Sequence, residues 1–364
     1  MDATDPPEPG RRRPTRRPTM KDIARRAGVS ESAVSFALND RPGVSPTTRD
    51  RVRRVAEELG WRASTAARAL SGEGSATVGL VLARPARTLE VESFFLRLVS
   101  GIQESLAVRH LGLLFQVVED VAEECAVYRR WWAERRVDGL LVVDPRLDDP
   151  RPRLLDELGL PAVVIGALAT HTPAYPGIST VWADDAAAMA SIVGHLHGLG
   201  HRRILHIAGL PALVHTRRRV DSLRAEAARL GSVDVTSVPT DYSEAEGAEV
   251  TRRALEAPRP PTAIVYDNDI LAMAGLAVAV EGGLVVPRDL SIVAWDDSVL
   301  CRTAHPPLTS LVRDTAAYGR HATEQLLRLL DGGPASVVPD PLPTLVARGS
   351  TAAPAEARRV RPRG

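Results

Sequence analysis

Side chains able to do chemistry gather in two stretches of this 364-residue chain. One is a polar series in the C-terminal half: Asp267, Asn268 and Asp269, then Asp296 and Asp297, with an Arg217-Arg218-Arg219 cluster beyond Gly209. Carboxylates beside guanidinium groups accept from and donate to adjacent hydroxyls in fixed geometry, which suits a polyhydroxylated ligand and points to a sugar. Trp295 and Tyr242 could cover the apolar face of such a ligand, or simply pack in a core. Paired carboxylates such as Asp267 and Asp296 are also the equipment of glycoside hydrolysis. Against an enzyme, nothing in the sequence activates a nucleophile, and there is no phosphate-cradling glycine loop or metal-ligand motif. No cofactor is expected. His195, His197 and His201 make a poor metal set, because helix positions two apart do not face each other.

The second stretch lies near the N-terminus, where Glu31, Ser32, Ser35, Phe36 and Asn39 share the outward side of a short helix. Three helices are expected there. Thr19 can cap the first, with Asp22 completing a capping-box-like start, and Ile23, Ala24 and Ala27 fall on one face before Gly28 ends it. Ser30 can cap the second, whose buried stripe is Val34, Ala37 and Leu38. Ser45-Pro46 opens the third, which buries Val52, Val55, Ala56 and Leu59 and stops at Gly60. A helix, a glycine-containing turn and a second helix with an outward polar face form the minimal reader of the DNA major groove.

From Ala76 onward the pattern changes to apolar strands alternating with helix-length segments. Strands are expected at 78–83, 113–118, 139–143, 162–166, 204–208, 263–266 and 291–295. Such alternation predicts parallel sheets with helices on both faces, and the length allows two lobes. In sheets of this kind ligands gather beyond the carboxyl ends of the strands, which is where the Asp267 and Asp296 series falls.

Charge supports the division. The net charge is +1, yet residues 1–75 carry 15 Lys/Arg against 10 Asp/Glu, a balance of +5 that leaves −4 for the rest. Basic character confined to one end is what a phosphate-binding module joined to an acidic body requires. A general chromosome-compacting protein would spread it more widely. No apolar run reaches the roughly 18–20 residues that span a bilayer, and the N-terminus has no apolar stretch of the secretory kind, so the expected location is the cytoplasm. Cys125 and Cys301 are far apart and read as buried small hydrophobes.

The run Thr19-Met20-Lys21-Asp22-Ile23-Ala24, Ala27-Gly28-Val29-Ser30, Val34-Ser35, Leu38-Asn39, Val44-Ser45 and Thr48-Arg49 closely resembles the start of the LacI/GalR family of bacterial repressors. The resemblance continues through Ala66-Ala67-Arg68-Ala69-Leu70, Gly194-His195-Leu196, Leu199-Gly200-His201-Arg202, Asn268-Asp269, Asp296-Asp297, Pro306-Pro307-Leu308-Thr309 and Arg348-Gly349-Ser350, so it spans roughly residues 19–352. It implies a homodimer on an operator of approximate two-fold symmetry, and a periplasmic-binding-protein-like domain of two parallel-sheet lobes that binds a small-molecule effector. It also implies residue roles. Glu31 and Ser32 would read bases, with Phe36 where many members have an arginine; Thr19, Ser35 and Asn39 would meet the DNA backbone, and Ser30, the cap of the second helix, belongs to the same DNA-binding set; Ser64, Ala67 and Leu70 would belong to a hinge helix whose leucine pries open a minor-groove step. By position Arg219, Asn268 and Asp296 would be the family's ligand-contacting arginine, asparagine and aspartate, and Phe94 with Phe95 would begin the helix that borders the cleft in relatives; Tyr242 and Trp295, as candidate stacking partners, complete the expected effector site. A phenylalanine cannot grip guanine as arginine does and offers only apolar contact, for example to a thymine methyl.

The organisation expected from these readings is a disordered basic arm at 1–18, a helix-turn-helix domain at 19–63, a hinge helix and linker at 64–75, and an effector-binding and dimerisation domain at 76–350. Its first lobe would take about 76–178 and 315–340, and its second about 179–314 with the C-terminal strand. A disordered tail would follow at 351–364. Because that tail lacks a leucine heptad, a dimer rather than a tetramer is expected.

Overall fold

The computed structural model describes residues 18–61, 74–84, 93–166 and 173–355. The chain divides into two compact units, Met1–Glu73 and Gly74–Gly364. The arm at 1–17, Ser64, Ala67 and Leu70 in the hinge segment, and residues 356–364 lie outside the described residues.

The first unit is helical. Helix α1 (Met20–Ala27) begins with a full capping box between Thr19 and Asp22 and ends at Gly28, whose φ of 67° is left-handed. Helix α2 (Glu31–Leu38) starts where the Ser30 hydroxyl accepts from the Ala33 amide. Helix α3 (Pro46–Glu58) starts in the same way at Ser45, with proline in the first turn where its missing N–H costs nothing. Ile23, Ala24, Ala27, Val34, Ala37, Val52, Val55 and Ala56 form the core, and Leu38 and Leu59 pack partly buried against it.

The second unit holds two six-stranded sheets. The first has the order β11-β5-β4-β3-β1-β2, made of β1 (Thr77–Ala83), β2 (Gly112–Val118), β3 (Gly139–Val142), β4 (Ala162–Ile165), β5 (Ile178–Trp182) and β11 (Val337–Pro339). All its pairings are parallel. The second has the order β12-β10-β9-β8-β6-β7, made of β6 (Arg203–Ala208), β7 (Asp234–Pro239), β8 (Ala263–Tyr266), β9 (Ser291–Ala294), β10 (Thr309–Val312) and β12 (Thr344–Val346). Only β12 runs antiparallel there.

Helices α4 (Ser93–Val108), α5 (Val121–Ala133), α6 (Arg151–Glu157) and α12 (Thr315–Leu330) serve the first lobe. Helices α7 (Asp185–Gly198), α8 (Val214–Leu230), α9 (Glu244–Leu255), α10 (Asp269–Glu281) and the short α11 (Val299–Thr303) serve the second. Strands covered on both faces must be apolar on both. Thus Val78, Leu80 and Leu82 enter one core cluster with α4 and α12, while Val81 and Ala83 enter another with α5.

All seven strands expected from the sequence are present, with ends shifted by a residue or so. Five others are not apolar enough to announce themselves. Strands β7, β11 and β12 are half-exposed, and β5 and β10 bury hydroxyls at Ser179, Thr180, Thr309 and Ser310. Recognising β5 moves the lobe boundary: residues 179–182 pair with β4 and β11 in the first sheet, so the first crossover lies at Ala183 and Asp184 rather than at 179. The second is at Arg313 and Asp314, between β10 and α12, and the third joins β11 to β12. Residues 351–355, expected to belong to the tail, are described and partly tied to the second lobe. Ala352 donates its amide to Ser291 at 3.1 Å and accepts from His201 at 2.9 Å, and Pro354 is buried.

Helices α4 and α12 approach through two glycines. A methyl at Gly101 would overlap the Ala316 carbonyl, and one at Gly319 the Leu98 carbonyl, both of them backbone groups that cannot swing aside. Gly101→Ala should therefore destabilise the second unit by about 1–3 kcal/mol, lowering its melting temperature in calorimetry; an unchanged melting temperature would show that the helices can part without cost.

Candidate DNA interface and ligand cleft

In the first unit, capping fixes where α2 starts and its buried stripe fixes which way it faces. Glu31, Ser32 and Asn39 are exposed, and Phe36 is 38% exposed, outside the core cluster. The Phe36 ring leans instead on Gly43, where an added β-carbon would stand 3.4 Å from ring carbon Cδ2. Thr19 and Ser30 spend their hydroxyls on caps, and Ser35 is half-buried, 3.5 Å from the Asn39 amide nitrogen. One feature escaped sequence reading: the loop after α2 is tied to α3. Arg53 donates to both Asp40 carboxylate oxygens at 2.7 Å, and Arg49 donates to the Arg41 carbonyl at 2.9 Å. The acid at 40 and the arginines one helical turn apart at 49 and 53 were the available signal.

The second unit has a cleft between its lobes, lined from the carboxyl ends of the strands of both sheets. From the first lobe come Arg84 after β1, Asp144 after β3 and Gly166 after β4, with Phe94 and Phe95 of α4 and Tyr318 of α12. From the second come His215 and Arg219 of α8, Tyr242, the Asp267-Asn268-Asp269 run after β8, and Asp296 after β9. Asp185 and Arg313 stand beside the crossovers.

The charges are arranged around Arg219. It reaches Asp267 at 3.0 Å and Asp185 at 3.2 Å, and its guanidinium carbon lies 3.7 Å from the centroid of the Trp295 ring. Burial pushes Asp267 upward, but Arg219, His206 at 3.0 Å and the Gly209 amide at 2.8 Å together hold it well below the usual carboxylate range. Asp144, half-buried, is held low against the upward push of burial by Arg84 at 2.6 Å. His215 is pushed down to about 4 by burial and by Arg219, so at neutral pH it is an uncharged ring, 3.0 Å from the Tyr242 hydroxyl. That tyrosine has a φ of 69° and its ring lies over Gly209, where any β-carbon would overlap it.

Asp296 differs from the other acids. Burial pushes it up to about 6, with Arg313 favouring and Asp269 opposing its charge. Asn268 is 5% exposed; its Oδ1 caps α10 by accepting from the Leu271 amide at 2.8 Å, while its buried Nδ2 has no hydrogen-bond partner among the described residues. The Arg313 Nε is likewise buried and unpartnered. Asn268, Arg313 and Asp296 all line the cleft, and such a mix of donors and a carboxylate can serve neighbouring hydroxyls.

Of the site residues read from sequence, Phe94, Phe95, Arg219, Tyr242, Asn268 and Asp296 line this cleft. Trp295 does not: it is 2% exposed, packs with Ile192, Val193 and Val293, and presents its ring to Arg219. Strand alternation sends it to the opposite side from Asp296. The aromatic faces are also occupied by cations, Arg84 lying 5.1 Å from the Phe95 centroid and 5.0 Å from that of Tyr242, and Arg313 lying 5.2 Å from that of Phe94. Arg217 pairs with Asp221 at the surface, and Arg218 lies over Trp182. Sequence reading missed Arg84, Asp144, Asp185, His215 and Arg313. The strand-end rule, applied to the first lobe as it was to the second, would have found the first two.

Comparison with known proteins covers most of the chain. Residues 19–64 match the model of bacterial regulatory proteins, lacI family, and residues 193–351 that of a periplasmic binding protein-like domain. The HTH-type transcriptional regulator MalR of Streptomyces coelicolor is 34% identical over 93% of this chain and 98% of its own length. The HTH-type transcriptional regulator CelR of Thermobifida fusca is 32% identical over 87% and 93%. Among solved structures, a CelR–cellobiose complex covers 92% of this chain and 100% of its own at 29% identity and a TM-score of 0.68. A lac repressor structure shares the fold with a TM-score of 0.77 at 24% identity, covering 93% of this chain and 100% of its own.

Since the folded protein raises the Asp296 pKa, it prefers this group protonated, and ionising it in place costs stability as pH rises from about 4 to about 6. Asp296→Asn should thus be more stable than the parent by an excess that grows across that window and levels off above it, on the order of 2 kcal/mol. Melting temperatures of both proteins between pH 4.5 and 8 measure this; a constant offset would place Asp296 in an ordinary solvated setting.

Proposed function

Because this chain belongs to the lacI family of bacterial regulatory proteins, we propose that it is a sequence-specific repressor that binds a pseudo-palindromic operator as a homodimer and is switched by a sugar or sugar derivative. The observation that carries the ligand half is the cleft itself, which Asn268, Arg313 and Asp296 line together with Phe94, Phe95 and Tyr242, Asn268 Nδ2 and Arg313 Nε having no hydrogen-bond partner among the described residues. That set matches a neutral polyol better than an anion, because Asp144, Asp185, Asp267, Asp269 and Asp296 outnumber Arg84, Arg219 and Arg313 around it. The CelR relative solved with cellobiose makes that disaccharide the first sugar to try. The effector leaves unchanged, since binding and not reaction is the output.

The DNA half rests on the exposed face of α2. Glu31, Ser32 and Phe36 read bases, Thr19, Ser30, Ser35 and Asn39 position the helix on the backbone, and Ser64, Ala67 and Leu70 form the minor-groove hinge. Dimerisation is supported by apolar side chains left in the open on the second unit, among them Leu96, Phe115, Val280, Val299 and Leu300. Two subunits would set two half-sites one helical turn or a multiple apart. Effector binding shifts the population of lobe arrangements and so the fit of the pair to DNA. The site of action is the cytoplasm; among the described residues no helix is long and apolar enough to cross a membrane.

Sequencing genomic fragments captured by the purified protein, with random DNA as competitor, should return a short set of sites sharing an inverted repeat; capture without sequence preference would refute the repressor reading. Leu70→Ala should weaken binding to a captured site at least tenfold while leaving the sugar-induced rise in melting temperature intact. Phe36→Arg should move the preference at one base of each half-site toward guanine, a contact worth about 1–3 kcal/mol, as read by binding to a randomised site library.

A further inference from the structure

Two loops of the second unit meet across the cleft as backbone. After β3 the first lobe continues through Asp144 to Asp149; after β6 the second lobe continues through Gly209 to the start of α8. The Leu147 amide donates to the Ala212 carbonyl at 3.1 Å, and the Val214 amide donates to the Pro145 carbonyl at 2.9 Å. Between these bonds Arg146 and Leu213 pair as an isolated antiparallel bridge. Residues 145–147 and 212–214 are thus a one-rung β-ladder whose two strands belong to different lobes.

The first-lobe half is held from beneath by an unusual group. Arg151 is 1% exposed and donates to the Val143 carbonyl at 2.9 Å, the Asp144 carbonyl at 2.8 Å, both Glu124 carboxylate oxygens at 3.0 Å, and Asp149 at 2.7 and 2.9 Å. Tyr128 donates to the same Glu124. Burying an ion cluster of this kind seldom stabilises a fold more than apolar packing would, so its presence calls for a positional reason. The backbone supplies one. Asp144 has a φ of 52°, a left-handed conformation that a non-glycine residue enters only when its surroundings enforce it. Arg151 grips the carbonyls on and before that residue, and so aims the loop that follows it at the other lobe.

The ladder is continuous with the ligand cleft on both strands. Val143 and Asp144, directly before it, line the cleft, as does His215 directly after it. Whatever touches these side chains pulls on the ladder.

We propose that segments 145–147 and 212–214 form an interlobe latch that opens and closes access to the cleft, and that Arg151 is the positioning residue for its first-lobe strand. The latch is made of main-chain bonds, so it works whatever ligand the cleft takes and can be tested without one. One substitution deletes a latch donor while respecting the local fold. Val214 is the first residue of α8, where proline is well tolerated, and Leu213 before it already has the extended ψ of 136° that proline demands.

Hydrogen exchange of the full-length chain, read by mass spectrometry with residue resolution, decides the matter. In the parent protein the Leu147 amide should exchange at least tenfold more slowly than an unstructured amide. Val214→Pro should accelerate Leu147 about tenfold and leave β1 and β8 unchanged, whereas Val214→Ala, which keeps the N–H, should leave Leu147 as it was. Arg151→Lys keeps a charge opposite Glu124 but cannot reach both carbonyls, and should accelerate residues 144–147 more than α5 or β3. Three results would each overturn the proposal: a Leu147 amide unprotected in the parent, a Leu147 rate indifferent to Val214→Pro, or an Arg151→Lys effect spread evenly over the first lobe. If Arg151→Lys does not fold, the two Val214 variants still decide whether the latch exists.

Discussion

The buried guanidinium of Arg219 is the interaction on which the ligand-binding unit turns. Three chain segments that the topology would otherwise leave independent meet on it: Asp185 at the crossover into the second lobe, Asp267 at the end of β8, and Trp295 at the end of β9. A lone guanidinium at that depth would be prohibitively costly, and so would two lone carboxylates. Together they are mutually satisfied, with the Gly209 amide and His206 completing the coordination of Asp267. His206 in turn meets the Ser237 hydroxyl at 3.0 Å, which carries the network to strand β7. The strand ends of the second sheet are therefore fixed relative to one another by charge, leaving Asn268 and Asp296 displayed at a defined spacing.

That rigidity explains why the acids of the cleft behave so differently. Asp267 and Asp144 are each matched to an arginine and stay ionised, whereas Asp296 has the field of Arg313 without a hydrogen bond from it among the described residues, and the nearby Asp269 opposes its charge. A carboxylate left undercompensated within an otherwise complete network costs the fold stability when it ionises. Phe94, Phe95 and Tyr242, by contrast, are covered by arginine. A sugar that stacks on these rings must take the place of a guanidinium, so the aromatic contacts of the cleft are exchanges and add less affinity than ring area alone suggests.

How much was legible in the sequence follows from which interactions are local. Helix caps are, and Thr19, Ser30 and Ser45 cap as their spacing indicates. Strands buried on both faces are also local, because they are apolar throughout. The strands that sequence reading passed over, such as Ile178–Trp182 and Thr309–Val312, bury Ser179, Thr309 and Ser310, whose hydroxyls are satisfied by distant partners. Ser179 accepts from the Ser336 amide and Ser310 donates to Asp297, pairings that no window around either residue contains. Missing those strands hid Arg313, since a residue at a strand's carboxyl end can be found only if the strand is. Trp295 failed for a related reason. Its chemistry suits a sugar, but one step along the chain from Asp296 it faces the other way, and its ring lies against Arg219 outside the cleft lining.

The same reasoning limits where this protein's DNA preference can vary. The first unit is short, and its core is filled by small side chains from all three helices, so α2 cannot rotate without exposing Val34 or Ala37. Its far end is also held, because Asp40 is tied to Arg53 and the following loop carries Gly43 beneath the Phe36 ring. With both ends of the helix anchored, a change at Glu31, Ser32 or Phe36 alters which atoms are presented and not where the helix lies. Phe36 is the most constrained of the three, since its ring already rests on the loop at Gly43 and only the remaining edge is exposed.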